Sequence, residues 1–153
     1  MNEKKSVLIM VLLAAVLVLS GCGGQETVEA PEPVEVAEPA LIISGSVGEE
    51  LSWTMDELQA MDTTEVEYTG KDGETETFTG VSLADLIGDA SPEADAGTVV
   101  FTASDDYQAE AALSEILDCG DCVVAFDGGS LRSVMPEFSG KLQVKNLVQI
   151  EIQ

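Results

Sequence analysis

The sequence contains no histidine, and this absence removes several kinds of chemistry at once. Without histidine, the chain cannot form a Ser-His-Asp or Cys-His catalytic arrangement. It also lacks the commonest metal ligand and the side chain that usually acts as a general base near neutral pH. Any catalytic site built within this chain must therefore use other residues.

Positive charge is scarce as well. Six Lys and Arg residues stand against 29 Asp and Glu residues, which gives a formal net charge of −23 at pH 7. Such a charge repels nucleic acid and anionic lipid head groups, so we expect no nucleic-acid partner and no binding to lipid through the protein surface. The acidity favours solubility and attraction to cations or basic partners. Simple adaptation to the surroundings, with no partner implied, explains the same composition.

The apolar run near the start of the chain is short. It extends from Val7 to Leu19, whereas a membrane-spanning helix needs roughly 20 residues. Lys4 and Lys5 precede the run and small residues follow it, which is typical of an export signal. We therefore predict a signal peptide over residues 1–21.

The segment LSGC, which ends at Cys22, resembles the lipobox of bacterial lipoproteins. In that family the signal is cut before the cysteine, which then carries lipid. The resemblance implies that Cys22 is a lipid anchor to the membrane and that the mature protein is extracytoplasmic, where disulfides can persist. An ordinary secretory signal with an incidental cysteine is the alternative.

Residues 22–40 are predicted to form the lipidated cysteine and an acidic tether. The stretch GGQETVEAPEPVEVAEPA contains three prolines, no aromatic residue and no basic residue. It cannot bury enough apolar surface to fold, and its repeated glutamates repel one another and extend the chain. We interpret it as a stalk that lifts a domain, residues 41–153, off the membrane.

The domain is predicted to be α+β, with a mixed or mainly antiparallel sheet and short helices. Alternating segments such as TEVEYT and LVQIEIQ predict strands, and Val66 and Tyr68 should share one face. Thr54 and Glu57 have the spacing of a capping box for a short helix. Ser82 is predicted to cap a second helix that Gly88 stops, and Ser114 a third.

Three segments of the domain resemble the molybdopterin-binding oxidoreductase domain, which has the sulfite oxidase-like fold. TGVSLADLI is similar to the Thr-Gly-Val-x-Leu-x-x-Leu segment of that family. VVFTASDDYQAEAALSEIL resembles its strand, turn and short helix, and VVAFDGGSLRSVMPEFSGKLQVKNLVQIEI its closing region. Their order and spacing, more than any single motif, carry the resemblance, which implies the fold and makes a molybdopterin cofactor possible.

The chain also departs from the family pattern. In the family, a cysteine thiolate binds molybdenum in the interval that corresponds to 70–78, which contains no cysteine here. Lys145 matches a family lysine that grips the cofactor phosphate, but Leu142 stands where a second basic residue is usual. Arg132 and Lys141 are the other candidate cations of the cleft. We therefore expect no metal ligand, no catalytic residue and no bound cofactor.

Cys119 and Cys122 form a C-x-x-C motif that allows three interpretations. The motif follows a predicted helix, whose negative end, together with Asp118 and Asp121, disfavours a reactive thiolate. This argues against a redox-active dithiol. A metal site would need about four ligands. We favour a disulfide across a tight helix-to-strand turn, and the resemblance says nothing about this position.

Two main functions follow from the sequence. The first is a non-catalytic module that holds a small ligand or an envelope protein, using the former cofactor cleft or a sheet edge. The second is a redox component that uses a retained molybdopterin or the Cys119/Cys122 dithiol. A plain acidic surface protein is a third interpretation.

Overall fold

The structure is a computed structural model that describes residues 38–153. The predicted signal peptide, Cys22 and nearly all of the predicted tether lie outside these residues. In chain order, the elements are β1 (Leu41–Gly45), β2 (Leu51–Trp53), α1 (Met55–Ala60), β3 (Thr63–Thr69), β4 (Thr75–Ser82), α2 (Leu83–Asp89), β5 (Thr98–Ala103), β6 (Gln108–Ala112), α3 (Leu113–Leu117), β7 (Val123–Asp127), β8 (Ser130–Val134), a 3-10 helix (Gly140–Leu142) and β9 (Leu147–Ile152). No helix in the described part is long and apolar enough to cross a membrane.

The strands form two sheets. The five-stranded sheet has the order β2-β1-β9-β5-β6, and the four-stranded sheet has the order β3-β4-β7-β8. Strands β1 and β9 are parallel, whereas the other paired strands are antiparallel. The prediction of an α+β fold with mainly antiparallel strands and short helices is confirmed.

Both sheets contribute to one main apolar core. The five-stranded sheet supplies Ile43, Phe101 and Ile150, which are fully buried, and the four-stranded sheet supplies Val124 and Leu131. Since successive strand residues point to opposite faces, neighbours of these side chains in the four-stranded sheet face away from the main core. They form a second, smaller cluster of Val66, Phe78, Val123, Ala125 and Val134.

The helix starts test the predicted caps. The Thr54 hydroxyl accepts a hydrogen bond from the Glu57 amide, and the Glu57 carboxylate accepts one from the Thr54 amide, so the capping box is confirmed. The Ser82 hydroxyl accepts a hydrogen bond from the Asp85 amide at the start of α2, which is also confirmed. Helix α2 ends one residue beyond Gly88, at Asp89.

The predicted cap of the third helix is wrong. Helix α3 begins at Leu113, and its N-cap position is held by Ala112, which makes no side-chain cap hydrogen bond. Ser114 therefore lies within the first turn. Strand β6 runs directly into α3, because the Leu113 amide donates to the Gly97 carbonyl and the Leu113 side chain is buried in the main core.

Candidate functional site

Arg132 on β8 is almost fully buried, at 9 % exposure. Its guanidinium carbon lies 4.9 Å from the centroid of the Phe78 ring and 5.9 Å from that of Tyr68. Its Nη1 is 3.7 Å from Oδ2 of the half-exposed Asp127, and its buried Nε has no hydrogen-bond partner. The cation is thus held mainly by aromatic faces and one loosely placed carboxylate, which is a costly position for a charge.

The chain that follows β8 folds back along it. Arg132 pairs with Lys145 across an isolated antiparallel bridge, and directly opposed residues of such a pair project to the same side. Lys145 and Lys141 are both exposed, and the Lys141 carbonyl accepts a hydrogen bond from the Tyr107 hydroxyl at 3.0 Å. The structure therefore brings Arg132 and Lys145 together and leaves Lys141 on the 3-10 helix.

Two polar side chains hold this returning segment in place. The Gln143 amide group bonds Met135 twice, accepting from its amide at 3.1 Å and donating to its carbonyl at 2.6 Å. The fully buried Ser133 hydroxyl donates to the Leu142 carbonyl and accepts from the Val144 amide. Neither Ser133 nor Gln143 was predicted as a site residue, and nothing in their local sequence signals this role.

Cys119 and Cys122 have their sulfur atoms 2.04 Å apart, which is the distance of a disulfide. This supports the favoured interpretation of the C-x-x-C motif. Asp118 caps the C-terminal end of α3, and the Cys119 amide donates to the Ile116 carbonyl. Cys122 is fully buried, and its carbonyl accepts a hydrogen bond from the Leu83 amide at 2.9 Å. The motif therefore joins the end of α3 to the starts of β7 and α2.

An open groove of about 630 Å³ lies beside β3. The residues that line it are Glu65, Val66, Glu67, Thr77, Asp121 and Pro136. Three of the six carry carboxylates and none is basic. The groove therefore suits a cationic ligand and disfavours an anionic one.

Comparison with known proteins identifies the class to which this fold and this arrangement belong. A family model described as the oxidoreductase molybdopterin binding domain matches residues 28–153, which is most of the chain. The chain therefore belongs to this family, and the resemblance noted in the sequence is confirmed.

The structural relatives agree with the family assignment. Among solved structures, 25 chains match, and one is the sulfane dehydrogenase SoxCD from Paracoccus pantotrophus. Its TM-score is 0.63 at 17 % identity, and the match covers 73 % of this chain and 37 % of that chain. The likeness shows the fold, and this chain spans little more than a third of that relative's length. Among curated proteins, no match was found.

The residues present do not fit a molybdenum centre held by a protein thiolate. The interval 70–78 forms the β3–β4 turn and the first half of β4, and it supplies no sulfur. Cys119 and Cys122, the two cysteines of the described range, are bonded to each other. No group of three or more His, Cys, Asp or Glu residues within 38–153 is arranged to hold a metal ion. The Arg132–Lys145 pair suits an anion, but Asp127 already lies beside it.

Proposed function

We propose that this protein is a lipid-anchored, extracytoplasmic member of the molybdopterin-binding domain family that acts as a non-catalytic binding module. The observation that carries the proposal is the use of both described cysteines in one disulfide, which leaves no thiolate near the β3–β4 hairpin. In the family a cysteine thiolate binds the molybdenum, and thiolates are the ligands that soft metals favour. In this proposal the domain keeps the family's fold and uses it to bind a ligand or partner, and it catalyses no redox reaction.

The molybdenum and pterin content of the purified protein tests whether it binds the cofactor. The full chain is expressed in a host that makes the cofactor, purified in detergent, and analysed for molybdenum by elemental analysis and for pterin by fluorescence after oxidation. We expect both far below one equivalent per chain. Values near one equivalent of each contradict the proposal and return the protein to the oxidoreductases. A thiol count with and without reductant, on the same sample, reports whether Cys119 and Cys122 are oxidised.

The lipid anchor is tested separately. The proposal rests on the lipobox-like LSGC and the short apolar run before it. Cys22→Ser should abolish incorporation of a labelled lipid precursor and release the protein from the membrane fraction. Unchanged labelling of the variant, with the protein still membrane-bound, contradicts the anchor. The double variant Cys119→Ala/Cys122→Ala is the control, and its labelling should equal that of the native chain.

A second candidate function is favoured by one observation. Arg132 and Lys145 are opposed across a bridge, where two like charges are unfavourable. Asp127, 3.7 Å from Arg132, is the one carboxylate within 38–153 that forms an ion pair with either cation, so a further anion would stabilise the pair. A retained pterin phosphate without the metal would satisfy this pair. The same assay separates this candidate, because pterin near one equivalent with no molybdenum supports it, and the absence of both contradicts it.

A further inference from the structure

Strand β3 has a free edge. Within residues 38–153 it pairs with β4 alone, over the whole register from Thr63–Val81 to Thr69–Thr75. Every second residue of such an edge strand directs its N–H and C=O groups away from the sheet, where they can pair with another chain. At seven residues, β3 is long enough to accept an extended segment.

The other edges of the two sheets are less suited to this. The returning chain covers part of the β8 edge, because Ser133 and Val144 exchange backbone and side-chain hydrogen bonds there. Strand β2 has three residues and β6 has five. Among the outer strands of the described sheets, β3 is the longest, and the acidic groove lies directly beside it.

The charge along β3 decides what can dock there. Glu65 and Glu67 are exposed on the strand, and Asp121 adds a third carboxylate to the groove. The single ion pair of the described residues is the one between Arg132 and Asp127, so none of these three carboxylates is neutralised by a neighbour. They repel an acidic strand and attract a basic one.

The negative charge beside β3 argues against two occupants that the protein itself could supply, namely a second copy of the chain and its own tether. A second copy would bring the same glutamates to the edge, since the whole chain has a net charge of −23. The acidic tether would do likewise, because it carries Glu26, Glu29, Glu32, Glu35 and Glu38 and no basic residue. Glutamates on an edge strand keep like chains apart, and the same side chains are complementary to a basic partner.

We infer that the β3 edge docks an extended segment rich in lysine or arginine from a partner protein, which adds as a strand beside β3. The backbone of β3 supplies the ladder hydrogen bonds, and Glu65, Glu67 and Asp121 bind the basic side chains. The inference rests on the proposed binding function and names its surface and its class of partner.

A fluorescent heptapeptide of alternating lysine and valine is the probe, and the full chain in detergent is the target. We expect saturable binding by anisotropy, and about tenfold weaker binding for Glu65→Gln/Glu67→Gln, because two exposed charge contacts are lost together and each contributes modestly. The matched control, Glu93→Gln/Glu110→Gln, also removes two exposed carboxylates, neither of which lines the groove, and it should bind as the native chain does. No saturable binding, or equal loss in the control, overturns the inference.

Strand addition is tested apart from simple charge attraction. A second peptide of the same charge has proline in place of each valine, so it cannot form a ladder. We expect it to bind at least tenfold more weakly, and we expect the first peptide alone to slow hydrogen exchange at alternate amides of β3. Equal binding of the two peptides, or unchanged β3 exchange, overturns the inference.

These outcomes are independent of the cofactor assay. Absence of peptide binding in a chain without molybdenum or pterin overturns the docking surface and leaves the proposed non-catalytic function standing. Peptide binding by a chain that carries molybdenum and pterin overturns the proposed non-catalytic function and leaves the docking surface standing.

Discussion

In the five-stranded sheet, one face is apolar and buried, and its strands contain no lysine, arginine or cysteine. The four-stranded sheet differs, because apolar side chains are buried on both of its faces. The four cations of the domain all lie on it or in the segments joined to it, namely Lys71, Arg132, Lys141 and Lys145, and Cys122 leads directly into β7. In this chain, therefore, the side chains that could bind a charged ligand are concentrated around the second sheet, and the first sheet serves mainly as the scaffold.

The largest expected contrast comes from one phenylalanine in each sheet. Phe101→Ala removes a fully buried ring from the main core and should lower the free energy of unfolding by about 3–5 kcal/mol. Phe78→Ala should cost clearly less, because Phe78 is 9 % exposed and belongs to the small cluster. Urea denaturation of the two variants measures the difference. Equal costs would show that the two clusters are energetically one core.

Removing the disulfide should have a smaller effect. It lies where the two clusters meet, since Cys122 belongs to the main core and Val123 to the small one. It closes a short loop, with a sequence separation of 3, so Cys119→Ala/Cys122→Ala should cost on the order of 2 kcal/mol. Reductant should destabilise the native chain similarly and leave the double variant unchanged. A further loss in the double variant on reduction would rule out this account.

Replacing Arg132 tests whether the buried cation stabilises the four-stranded sheet. Arg132→Met keeps an unbranched apolar stem that reaches about as far as Nε, and it removes the charge together with a buried Nε that has no partner, so stability should change by less than about 1 kcal/mol. Arg132→Ala also removes contact with Phe78 and Tyr68 and should cost more, about 2 kcal/mol. Thermal unfolding compares the two. A large loss for Arg132→Met would indicate that the charge itself is required.

The smallest expected effect is a loss of stability of helix α1 at low pH. Hydrogen bonds from the Thr54 amide, and then from its hydroxyl, lower the pKa of the Glu57 carboxyl. A lowered pKa in the folded state means that the capping box stabilises α1 above the carboxyl's ordinary pKa and loses this contribution as pH falls through the folded value. Hydrogen exchange of α1 amides should therefore rise in acid, whereas Glu57→Gln should show no such step. The same acid step in both proteins would contradict this assignment.

The local rules of the sequence predicted several strands and helix starts well. Alternation placed Val66 and Tyr68 on one face of β3, and both contact the small cluster. The spacing of Thr54 and Glu57 is sufficient to specify a capping box, because its two hydrogen bonds lie within three residues. Ser114 had the same kind of local signal and failed, since burial of Leu113 determines where α3 begins.

The surroundings of the cations could not be predicted in the same way. Arg132 lies over Phe78 because four strands bring residues far apart in sequence onto one face. The Gln143–Met135 hydrogen bonds require the chain to reverse after β8. Pro136 and the Ser139-Gly140 pair indicate a turn there, but they do not specify which side chains meet after it. Strand β2 and the 3-10 helix were also missed, because each has only three residues and too little length to show a period.

The pairing of β1 with β9 bears on how the domain folds as it is made. The two strands align Ile43 with Ile150, and the Gln149 side chain donates to the Ser44 hydroxyl across 105 residues of sequence. A polypeptide emerges from its N-terminal end, so β1 is present long before its partner. Contacts this distant in sequence raise the contact order and slow folding. Until β9 has been synthesised, β1 and β5 lack the strand that lies between them in the sheet. Their apolar residues stay exposed to solvent during that time unless other parts of the chain cover them.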